Sequence, residues 1–118
     1  MNISMTRDSF GRVVCTIRDS GNEAVVTAAD AVNASLELLA AIQDAEESEY
    51  GECLWQEASG EYKWMLRRRD RTLTVALMWS SGTLTGWSHV LRADTDVDTF
   101  AEQVRTALAQ LGDAAPSR

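Results

Sequence analysis

Two alternating runs, Tyr62 to Arg69 and Thr72 to Trp79, lie on either side of the dipeptide Asp70-Arg71. Successive strand residues point to opposite faces, so this spacing restricts how the two runs can pair. With Asp70-Arg71 as a two-residue loop, Leu66 faces Val75, Trp64 faces Leu77 and Tyr62 faces Trp79. The other side then carries Lys63, Met65, Arg67, Arg69, Thr74, Ala76 and Met78. A slip of one residue would mix large apolar and charged side chains on each face, so burial selects the two-residue register. An antiparallel hairpin with a single core face is expected.

The same periodicities place the remaining elements. Residues 1–10 are polar and read as a loose lead-in. Arg12 to Arg18 alternates with Val13, Cys15 and Ile17 on one face, and Ala24-Val25-Val26 returns after the turn formers Asp19-Ser20-Gly21-Asn22. Thr27 and Asp30 have capping-box spacing before a stretch rich in Ala, Leu and Glu that runs to about Glu47. There Val32, Leu36, Leu39 and Ile42 recur at helical spacing, with Leu38 broadening the stripe, and Gly51 ends the region. Further strands are expected over Glu52–Glu57 and Thr85–Ala93. A three-residue loop near Ser81-Gly82 would put Trp87, His89 and Leu91 on the core face, and a two-residue loop would put them on the other. Thr95 or Asp96 caps a final helix that buries Phe100, Val104, Leu108 and Leu111, with Val97 near its start and Gly112 closing it.

The order β(β)αββββα implies an α+β fold. The expected architecture is two layers, an antiparallel meander of 4–6 strands with both helices on one face and the opposite face open. Residues 1–111 form one domain and 112–118 a tail. A chain of 118 residues can bury a sufficient core without staples.

Charge is distributed less ordinarily. Between Arg18 and Lys63 there are eleven carboxylates and no Lys or Arg, and then five of nine positions are basic: Lys63, Arg67, Arg68, Arg69 and Arg71. The formal net charge is −7, so a nucleic-acid or membrane role would rest on the arginines alone. Strand alternation divides them between two faces, and few aromatics interleave with them, which disfavours nucleic acid. Met1 to Arg12 lacks the apolar core of a signal peptide, and no run approaches the ~20 apolar residues of a membrane span. Cys15 and Cys53 sit in strand patterns without metal-ligand spacing and read as reduced structural thiols, so a cytoplasmic protein is expected.

Chemistry-bearing motifs are few. His89 is the sole histidine, which removes two-imidazole metal sites, and no GxSxG elbow or phosphate-binding glycine loop is present. No metal or other cofactor is expected, and His89 with a nearby carboxylate is the remaining catalytic option. Asp44, Glu46, Glu47, Glu49 and Glu52 cluster from the end of the first helix onward, against its dipole, and suit a basic protein partner. Met65, Arg67, Met78 and Trp87 are residue types enriched at interface cores and complete the candidate binding set.

The segment Gly60-Glu61-Tyr62-Lys63-Trp64-Met65-Leu66-Arg67-Arg68, with the strand and Phe100 helix after it, resembles small uncharacterised bacterial proteins carrying a G-E-Y-x-W-x-L strand. Some of these are similar to immunity proteins of polymorphic toxin systems. The resemblance covers roughly the second half of the chain, implies an immunity-type or adaptor role, and carries over no functional residue. The leading expectation is a non-catalytic cytoplasmic protein-binding module. A homo-oligomer, with arginines of one protomer meeting carboxylates of another, is the second, and a small enzyme using His89 the third.

Overall fold

A computed structural model describes residues 1–82 and 86–114. Its strands are β1 (Asn2–Arg7), β2 (Val13–Asp19), β3 (Asn22–Ala28), β4 (Tyr50–Glu57), β5 (Gly60–Arg69), β6 (Thr72–Ser80) and β7 (Ser88–Asp96). Its helices are α1 (Ala31–Ser48), between β3 and β4, and α2 (Val97–Ala114), after β7. The strands form two antiparallel meanders, β1-β2-β3 and β4-β5-β6-β7. The α+β class and the element order stand as expected from the sequence. The strands divide between two sheets because α1 interrupts the meander.

The central hairpin has the register read from the sequence. Leu66 pairs with Val75, Trp64 with Leu77 and Tyr62 with Trp79, across a turn in which Asp70 has φ 54°. One face of β4–β7 buries Cys53, Trp55, Trp64, Leu66, Leu73, Val75, Leu77, Leu91 and Ala93. These join Val13, Cys15, Ile17 and Val26 of the smaller sheet, Leu38 and Ile42 of α1, and Phe100 and Val104 of α2 in one core. Trp55 and Trp64 pack at 5.1 Å between ring centroids, and the Trp55 indole N–H donates to the Ala34 carbonyl. Trp55 is therefore a core residue.

Several local expectations are corrected. The lead-in is the strand β1, whose Ile3 and Met5 turn inward opposite Ile17 and Cys15. Asp30, not Thr27, caps α1, accepting from the Asn33 amide. Thr27 lies in β3, and its hydroxyl donates to Glu57. Asp96 does cap α2, accepting from the Thr99 amide and hydroxyl. That helix runs past Gly112 to Ala114, and residues 115–118 lie outside the described part. Thr85, the expected start of the last strand, also lies outside it; β7 begins at Ser88.

The largest correction concerns α1. Leu38 and Ile42 are buried, but Val32 and Leu36 are 65% and 62% exposed. The inward face is instead Ala31, Ala34, Ala41 and Ala45 around Leu38 and Ile42. Small residues let the helix approach β4 until their backbones nearly touch: a Cβ placed on Gly51 would lie 2.0 Å from the Ala41 carbonyl oxygen. Close approach rotated the helix away from its larger apolar stripe. Helix α2 lies chiefly against β1 and also touches β6, β7 and α1.

Candidate functional site

The helices meet only the inner face of the four-stranded sheet, and alternation presents the other set of side chains outward. Cross-strand pairing arranges that outer set in rows. Tyr50, Arg67, Thr74 and Asp94 form one row, and Glu52, Met65, Ala76 and Arg92 the next. Leu54, Lys63, Met78 and His89 form the third. Leu54, Met65, Ala76 and Met78 make a half-exposed apolar centre, with charged residues around it. Because helix α1 occupies the other face through Ala41 and Ile42, this centre has no secondary-structure element over it among the described residues.

A bulge decides what reaches the third row. Leu77 pairs with Leu91, but the next residue, Met78, pairs with His89, so Val90 is the extra residue on β7. A bulge reverses the alternation beyond it. Leu91 consequently points into the core while His89 is exposed on the outer face, a division that neither loop length considered above provides. Trp87 precedes the strand and is 39% exposed, with the Lys63 ammonium 4.6 Å from its ring centroid. His89 makes no hydrogen bond to a carboxylate among the described residues.

The charged rim is locally ordered on one sign. The Tyr50 hydroxyl donates to Glu52 at 2.6 Å, and that bond, aided by burial, raises the phenol above its usual range. Lys63 stands 3.9 Å from the same carboxylate, and Thr74 donates to Asp94 at 2.7 Å. Arg67 lies over the Tyr50 ring at 5.8 Å. Arg67, Arg69 and Arg92 have no ion-pair partner among the described residues, and with Tyr50, Thr74 and Asp94 they border a depression of about 910 Å³.

The other two arginines of the cluster serve the fold. The Arg68 guanidinium donates to the Ala45 and Asp70 carbonyls, placing positive charge at the end of α1, whose last turn has no basic residue of its own. Arg71 meets Asp96 and Asp98 at the start of α2, at 3.3 and 2.8 Å.

The five acidic candidates do not share one surface. Asp44 and Glu47 point from α1 into solvent, Glu47 accepting from Gln43. Glu46 is drawn to Arg105 of α2, 3.9 Å away. Glu49 caps the helix in the left-handed region at φ 71°, and Glu52 stands on the outer sheet face. Among the described residues, no group of three or more His, Cys, Asp or Glu side chains is arranged to hold a metal ion. The structure thus unites Glu52, Met65, Arg67 and Met78, with Trp87 at the edge, and separates the rest.

Tyr50, Leu54, Arg92 and Asp94 also belong to this face and were not among the sequence candidates. The parity of Tyr50, Glu52 and Leu54 against Gly51, Cys53 and Trp55 was the available signal. No known family model matches the chain, and neither curated proteins nor solved structures yield a match.

Proposed function

We propose that this chain is a non-catalytic protein-binding module whose docking surface is the outer face of β4–β7. The observation that carries this reading is the uncovered apolar centre of Leu54, Met65, Ala76 and Met78, rimmed by Trp87, Arg67 and Arg92. Methionines re-pack against different surfaces, and aromatic and arginine side chains supply much of the affinity at interfaces. Adjacent charges of both signs set register and specificity. Two buried free thiols support action in a reducing compartment such as the cytoplasm. The resemblance of Gly60–Arg68 supports an immunity-type or adaptor form of the same role.

Capture from host lysate tests the surface rather than the mere existence of a partner. Met65→Asp and Met78→Asp should each abolish recovery of a protein retained by the unaltered chain. Val32→Asp and Leu36→Asp, on exposed α1 positions, should leave it in place. Equal recovery by all four variants would remove this face from the function.

A further inference from the structure

We infer that the occupant of this face is a second copy of the chain, docked about a two-fold axis that runs between β5 and β6 parallel to the strands. The inference rests on the reading of the β4–β7 face as a docking surface and identifies its partner. Such an axis keeps every row in place while exchanging β4 with β7 and β5 with β6. Glu52 of one copy then stands over Arg92 of the other, because both occupy the same row at opposite edges. In that row the long Met65 stands over the short Ala76. In the row beside it, Asp94 meets Tyr50 of the second copy, with the second copy's Arg67 one strand further in.

An axis perpendicular to the strands and passing through this row would instead set Glu52 on Glu52 and Arg92 on Arg92. Along this row, charge therefore favours the axis parallel to the strands. Face-to-face sheets lie about 10 Å apart, a gap that Arg, Glu and Tyr side chains can bridge. The Tyr50 and Arg67 side chains of each copy then project toward the depression bordered by the other's Thr74 and Arg92.

Size sets the strength. Four strands at ~4.8 Å and three rows with their margins give a footprint on the order of 500 Å² per copy, against about 800 Å² for a standard interface. The net charge of −7 on each copy adds long-range repulsion. The expected dimer is consequently weak, with dissociation in the micromolar to high-micromolar range.

Charge reversal provides the test, with sedimentation velocity at about 0.15 M salt, where exposed charges act over only ~8 Å. The unaltered chain should show a concentration-dependent monomer–dimer equilibrium. Glu52→Arg and Arg92→Glu should each weaken it roughly tenfold or more, since both create facing like charges twice per dimer. The double variant should restore it to within about threefold. Both positions are exposed, and unchanged thermal unfolding verifies that the variants fold. A monomer at all concentrations, indifference to the single changes, or no recovery in the double variant would each overturn the inference. If the chain is monomeric but Met65→Asp still abolishes capture of another protein, only the second-copy identity falls; if capture is also unaffected, the docking face falls with it.

Discussion

At Glu49 and Gly51, two positions apart, backbone geometry makes opposite demands. Glu49 takes a left-handed conformation to end α1, with its amide donating to the Ala45 carbonyl, and that conformation suits glycine. Glu49→Gly should leave stability unchanged or raise it by up to about 1 kcal/mol in urea unfolding, the left-handed strain relieved exceeding the added freedom of the unfolded chain. Gly51 already has the residue it needs, because any Cβ meets the Ala41 carbonyl. Gly51→Ala should cost about 2–3 kcal/mol in the same assay, as the helix must move off the strand. The sequence marks Gly51 as a break, whereas the structure shows a contact. Only the partner backbone distinguishes the two.

Elements were legible where one face faces water and the other does not. The β5–β6 hairpin alternates cleanly, so its register and both its faces follow from parity. Strand β1 is hard to read from sequence because Asn2, Ser4 and Thr6 dilute the inward set of Ile3 and Met5. In α1 the larger apolar stripe misled, since alanines allow an approach that leucines would prevent. Leu38→Ala should therefore cost about 2–5 kcal/mol, while Leu36→Ala should stay within about 0.5 kcal/mol, as measured by denaturant midpoints. The Val90 bulge left no compositional trace, and with it the facing of His89 was beyond periodicity. The candidate face is half legible in consequence: parity in β5 and β6 points to Met65, Arg67 and Met78, whereas Tyr50, Leu54, Arg92 and Asp94 join the face only through the registers of β4 and β7.

For the molecule as a whole, the ionisable groups make stability fall at alkaline pH. Burial raises the Cys15 and Cys53 thiols to about 12, from a usual value near 9. Tyr50, through its bond to Glu52, and Tyr62, through burial, are raised as well. Each protonated group favours the folded state fully below its unfolded value, and that contribution is lost as pH rises toward the folded value. Thermal midpoints should hold near neutrality and decline progressively from pH 9 upward. On the acid side Asp8, hydrogen-bonded by Arg12, and Asp96, hydrogen-bonded by Thr99, are lowered, and their favourable contributions vanish as pH falls through those depressed values. Both thiols should resist a thiol-specific reagent at pH 8 until denaturant is added, and rapid labelling of the native protein would contradict their burial.

The tie made by Arg68 has a consequence for how the fold breathes. Its amide donates to the Glu49 carbonyl, and its guanidinium joins the last turn of α1 to the β5–β6 turn. A helix end ordinarily frays on its own, ahead of any sheet. Here the final turn cannot release its carbonyls without disturbing the hairpin tip. Amide deuterium uptake in the two segments should share one opening event, so the end of α1 inherits the slower exchange lifetime of the sheet.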